Sequence, residues 1–103
     1  LIFNYISSRQ NLRTILLLID ARRELTKEDN KMIEFFESQG LGWTCVITKV
    51  DKIKKSEVSS KMINLKNVLK NKITLYPHLF CTSSEKKTGL EELRAYIAMF
   101  AKN

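Results

Sequence analysis

The tetrapeptide Thr48-Lys49-Val50-Asp51 closes one apolar run of the chain, and Thr82-Ser83-Ser84-Glu85 closes the next. An ionised aspartate offers acceptors only, so it suits a ligand edge that presents two parallel donors. The N1–H and N2–H₂ edge of guanine is such a pair, whereas adenine turns a lone pair at N1 toward the same carboxylate. Asp51 is therefore the candidate reader of a guanine base. Lys49 can lay its aliphatic stem along the flat face of that base and leave its ammonium free, and Thr48 is placed to pin the loop to a neighbouring turn. At the other stretch, beyond Thr82 and Ser83, the backbone N–H groups of Ser84 and Glu85 are suited to donate to O6, an acceptor where adenine carries a donor. One stretch reads donors and the other an acceptor. Both point to guanine.

Side chains can converge in this way only if an ordered scaffold ends at both stretches. Residues 14–19 are continuously apolar, which suits a parallel strand covered on both faces, and Asp20 closes the run. Thr26 with Asp29 reads as a capping box for a helix whose apolar face holds Leu25, Met32, Ile33, Phe35 and Phe36, with Gly40 as its stop. Residues 43–48 form a second strand, rich in β-branched and aromatic residues. A helix from about Ser56 carries Val58, Met62, Leu65 and Leu69 at helical spacing. Residues 79–82 form the third strand. Thr88 with Glu91 predicts a last helix with Leu90, Leu93, Ile97 and Phe100 inward. The stretch before Arg13 predicts a further helix through Phe3, Tyr5 and Ile6. The fold class is α/β, a three-layer parallel sheet built as β-α-β-α-β-α, in one domain over residues 1–103. Ligands of such sheets bind beyond the carboxyl ends of the strands, where Asp20 and both motifs stand.

The chain has 103 residues and a formal net charge of +7, from 18 basic and 11 acidic residues. That excess favours anionic partners such as RNA, nucleotides or acidic membranes without choosing among them. No stretch has the length and apolarity needed to cross a bilayer, and no membrane is expected among the partners. Cys45 and Cys81 fall in predicted strands without metal or redox spacing and read as reduced core thiols. His78 has no companion ligand or nucleophile. Lysines 52, 54, 55, 86 and 87 surround the motifs, either as a solvated basic face, the favoured account, or as contacts to ribosomal RNA or a ribosomal subunit. Tyr76 and Trp43 are not interleaved with them as an RNA-stacking platform requires.

The chain resembles the C-terminal half of a small GTPase of the TRAFAC class, most closely the EngB-like (YihA/YsxC) family of ribosome-assembly GTPases. The resemblance rests on Asn11-Leu12-Arg13, Leu17 to Arg22, Asp29 with Met32, Thr48 to Glu57 and Thr82 to Gly89. It implies that Thr48, Lys49, Val50 and Asp51 form the guanine-specificity motif, and Thr82, Ser83, Ser84 and Glu85 the second base-contacting loop. It further implies GTP or GDP as ligand, Mg²⁺ in the intact protein, action in large-subunit assembly, and a cytoplasmic, mitochondrial or plastid setting. Arg23 and Leu25 depart from the family pattern, which usually has histidine and often proline there.

No G-x-x-x-x-G-K-S/T phosphate loop and no D-x-x-G occurs in these residues. Because phosphoryl transfer rests on cradling phosphate and metal, the stretch alone is predicted inactive, without catalytic or metal residues, and to be a fragment of a longer GTPase. Loss of the neighbouring strand would leave the edge at 14–19 bare and prone to self-association. The rival reading, from a different class, is a stand-alone basic α/β module that binds RNA or the ribosome without nucleotide.

Overall fold

A computed structural model describes residues 2–6, 13–83 and 85–101, with the backbone alone for 2–6, 13–14 and 100–101. The elements are β1 (Ile2–Ile6), β2 (Arg13–Asp20), α1 (Lys27–Ser38), β3 (Trp43–Thr48), α2 (Lys55–Val68), β4 (Phe80–Cys81) and α3 (Leu90–Ala101), with a short 3₁₀ turn at Val50–Lys52. The sheet runs β1-β2-β3-β4. β2 pairs with β3 in parallel from Ile15↔Trp43 to Asp20↔Thr48, and β3 pairs with β4 in parallel at Val46↔Phe80 and Ile47↔Cys81. The expected parallel three-stranded sheet is therefore present.

Each apolar run is buried because helices cover both faces of that sheet. One core joins Ile15, Leu17 and Ile19 of β2 and Cys45 and Ile47 of β3 to Ile33 and Phe36 of α1 and to Leu65 and Leu69 near the end of α2. On the opposite face Leu16, Val46 and Phe80 pack with Tyr96 of α3, flanked by Leu93 and Ile97. The alternation along β2 sends odd-numbered residues to one layer and even-numbered residues to the other, as the pleat requires. The side chain of Phe100, expected to join this face, lies outside the described residues.

Local chemistry sets the helix ends. The Oγ1 of Thr26 accepts from the Asp29 N–H, and Asp29 Oδ2 accepts from the Thr26 N–H, both at 3.0 Å. This is the predicted capping box. Gly40 follows α1 at φ 66°, a left-handed position natural to glycine. Glu57 accepts from the Lys54 N–H at 2.9 Å and opens α2.

Four expectations are corrected. Residues 2–6 are a strand, not a helix: β1 pairs antiparallel with β2, from Ile2↔Leu17 to Ile6↔Arg13. Pairing there satisfies backbone groups of β2 that a helix would leave unmet. The same pairing means that the edge at 14–19 is not bare, which removes the premise for self-association through it. Met32 and Phe35, assigned to the inner face of α1, are 42% and 56% exposed, because the sheet reaches only Ile33 and Phe36. Finally, α3 starts at Leu90 after Gly89, and Thr88 is paired through its backbone with Ser83, so the box with Glu91 does not form.

Candidate functional site

Both motifs stand at the carboxyl end of the sheet, and the main chain stitches them together. Beyond β4 the Thr82 N–H still donates to Ile47 O at 2.8 Å, and the Val50 N–H donates to Thr82 O at 3.2 Å. Thr48 O accepts from the Ala21 N–H at 2.8 Å, and Thr48 Oγ1 donates to Ile19 O at 3.4 Å, so the threonine pins its loop to β2. Lys49 then takes the left-handed conformation, φ 58° and ψ 38°, which reverses the chain into the Val50–Lys52 turn. A non-glycine residue is uncommon there. The turn aims Asp51 back toward the strand ends.

Asp51 is the focus of this geometry. Its side chain is only 6% exposed, so its charge needs partners. Ser83 Oγ donates to Asp51 Oδ1 at 2.5 Å, and the same Oγ accepts from the Lys86 N–H at 3.0 Å. Lys52 Nζ lies 3.7 Å from Asp51 Oδ2 and 2.9 Å from Glu85 Oε2, bridging the turn to the second loop. The Ser83 hydrogen bond, more than the nearby Lys52 charge, holds the Asp51 carboxyl below the usual carboxylate range, against the opposing effect of its burial. It is therefore ionised at neutral pH and presents Oδ2 as an acceptor. Asp51 and Ser83 line one groove of about 540 Å³, with Val50, Ile53 and Val58 as apolar wall and Lys86 and Thr88 opposite. That volume falls in the range of small-molecule sites.

The second loop is held as tightly as the first. Ser83 and Thr88 exchange backbone hydrogen bonds at 3.0 and 3.1 Å, closing residues 83–88 into a loop. Gly89 follows at φ 72°, where a Cβ would overlap the Cys81 carbonyl oxygen. Only glycine lets the chain pass β4 so closely. Thr82 and Ser83 are buried and Glu85 is exposed. Ser84, whose N–H the sequence assigns to O6, lies outside the described residues.

Lys49 does not meet Asp51 in the same hollow. It lines a separate one of about 430 Å³ with Asp20, Thr26 and Asp29, and its Nζ lies 3.9 Å from Asp20 Oδ2. The carboxylate at the tip of the neighbouring strand draws the ammonium sideways. Asp20 itself accepts from the Arg22 N–H, Nε and Nη2 at 2.9, 3.1 and 2.8 Å. These Arg22 hydrogen bonds hold its carboxyl well below the usual range. Asp20 is thus a structural acceptor, and Asp29 is occupied in capping α1. Among the described residues no group of three or more His, Cys, Asp or Glu could hold a metal.

The sequence is similar over nearly its whole length to proteins whose description is "probable GTP-binding protein EngB". The relative from Bartonella quintana is 38% identical over 97 residues, 94% of this chain. The relative from Brucella melitensis is 33% identical over 102 residues, 99% of this chain. The chain is EngB-like. It spans less than half the length of these relatives, 45% and 42% respectively, a share that fits the expected half of a GTPase domain. No family profile matches this EngB-like chain. Its fold matches a solved structure of translation elongation factor SelB from Methanococcus maripaludis in its apo form, with a TM-score of 0.73 at 20% identity. That match covers 82% of this chain and 19% of the other. At that identity the likeness speaks for the fold of the EngB-like chain and not for its ligand.

Two participants escaped sequence reasoning. Gly89 ends a stretch that carries the family resemblance, but its structural need has no local signal, because it arises from a backbone neighbour eight positions earlier. Lys52 reads as one lysine of many until the fold sets it between two carboxylates. The charge pairing of Lys52 with Glu85 had no local signal.

Proposed function

We propose that this chain supplies the guanine-reading face of a GTP-binding protein. Asp51 Oδ2 accepts from the N1–H and N2–H₂ edge, and Ser83 fixes the carboxylate through Oδ1. Thr48 and Thr82 hold the two loops in register, Val50 ties one to the other, and Glu85 anchors Lys52 at the rim. The turn at Ser84 and Glu85 donates to O6, and the Lys49 stem covers the base once its ammonium leaves Asp20. The observation that carries the reading is the ionised, nearly buried Asp51 held by Ser83 across two loops, in a chain that is EngB-like. The resemblance of the 48–57 stretch to ribosome-assembly GTPases extends the proposal to hydrolysis of GTP by the complete protein, with Mg²⁺, during large-subunit assembly inside the cell. The phosphate- and metal-binding elements for that step are not among these residues.

Titration of the isotopically labelled chain with GDP, followed by amide NMR, tests the base assignment without requiring tight binding. The amides of Val50, Asp51, Ser83 and Lys86 are expected to shift with GDP and to stay in place with ADP. Equal shifts with both nucleotides would overturn the assignment and leave only a basic surface attracting phosphate.

A further inference from the structure

At the far end of the sheet from Asp51, α2 runs out into a second basic feature. Lys66 from its last turn and Lys70 and Lys72 from the segment that follows the helix line a groove of about 220 Å³. Leu69 and Leu79, each 3% exposed, form the floor, and Leu75 and Pro77 complete the opposite side. The groove opens at the amino end of β3, because the 75–77 connection pairs with Trp43: Leu75 bridges it, and the Tyr76 N–H donates to Trp43 O at 2.8 Å. Among the described residues none of the three lysines takes part in an ion pair within 4.0 Å. Glu37, whose carboxylate reaches residues 73 and 74, is spent on the N–H groups of Ile73 and Thr74, the Thr74 hydroxyl and the Trp43 indole.

We propose that this groove binds the phosphodiester backbone of RNA. Three lysines line one concave channel whose lining contains no acid. Lysine serves phosphate as a mobile point charge, without the planar recognition that a carboxylate partner calls for. Leu69 and Leu79 are buried, and a flexible polyanion can follow the three lysines across the groove. The helix dipole favours cations at the end of α2. It accounts for Lys66 but not for Lys70 and Lys72, which stand outside the helix and still line the same groove. The site is independent of Asp51 and of the guanine reading.

The test is fluorescence anisotropy of a labelled single-stranded RNA with the full chain over a range of salt. The triple variant Lys66→Gln/Lys70→Gln/Lys72→Gln is expected to weaken binding at low salt by roughly tenfold or more. It should also flatten the slope of log affinity against log salt by about 2, from about 0.7 per neutralised phosphate. A second triple variant, Lys27→Gln/Lys31→Gln/Lys54→Gln, removes the same charge elsewhere and is expected to leave both nearly unchanged. Equal losses in the two triples would overturn the proposal in favour of net charge alone. So would binding to vesicles of acidic phospholipid that depends on the three groove lysines while RNA binding does not.

Discussion

Ser83 Oγ and Asp51 Oδ1 meet at 2.5 Å, although 32 positions separate them in sequence. The bond fixes one oxygen of the carboxylate, while Lys52 Nζ stands 3.7 Å from the other, the oxygen that the proposed reading gives to guanine. The Asp51→Asn change replaces one acceptor with a donor, so GDP affinity should fall roughly 10- to 100-fold, the cost of a lost charge-assisted pair. Affinity for a xanthine nucleotide, with its 2-oxo group, should rise. The Ser83→Ala change leaves the acceptors but frees the carboxylate, and should weaken GDP binding by a smaller factor without changing base preference. Binding measured with GDP and XDP in a protein containing the phosphate loop checks both. Unaltered preference in Asp51→Asn would remove this residue from base recognition.

Gly89 carries a structural demand of its own. An alanine there would sit at φ 72° with its Cβ overlapping the Cys81 carbonyl oxygen and 3.1 Å from the carbonyl carbon. Gly89→Ala should lower stability by about 3 kcal/mol, through strain and a forced shift of β4. Urea unfolding checks the magnitude. A variant as stable as the parent would mean that the 83–88 loop does not pass β4 in this way.

Glu37 predicts a pH dependence. Its partial burial raises its pKa, but hydrogen bonds from the Thr74 hydroxyl, the Trp43 indole and the Ile73 and Thr74 N–H groups outweigh that and bring it down to about 2. A depressed folded-state pKa contributes stability that is complete above the ordinary glutamate value, here 4.5, and lost as pH falls toward about 2. Glu37→Ala should cost about 1–3 kcal/mol at neutral pH, from donors left without an acceptor. The gap between variant and parent should narrow over that acidic window, measured as urea midpoints against pH.

β1 guards the edge of β2. Asn4 lies opposite Ile15 in their register, and Asn4→Pro would remove a backbone donor from the strand and oppose its pairing. The parent should scatter light as a monomer, and the variant should form larger species through the uncovered edge. A monomeric variant would show that β1 is not what keeps that edge from other chains.

The sequence was most legible where the physics is local. Thr26 and Asp29, three positions apart, cap α1 as their chemistry requires, and the apolar runs of β2 and β3 could only be covered strands. The meeting of Asp51 with the Ser83 loop was legible too, because parallel strands bring both carboxyl ends together. Distant or competing partners were not. Residues 2–6 have the composition of either element, and the unmet edge of β2, which lies far along the chain, decides for a strand. Phe35 fits the helical stripe of α1 but falls beyond the sheet. The turning of Lys49 toward Asp20 depends on a charge at the tip of another strand.

The hydrogen bonds that set the spacing between the two loops, Thr82 N–H to Ile47 O and Val50 N–H to Thr82 O, belong to the polypeptide itself and not to any side chain. On the proposed reading, an exchange at position 51 changes which base is accepted while the frame around it keeps its dimensions. A scaffold of this kind separates what is recognised from how the recognising parts are held, so new specificities can arise one residue at a time.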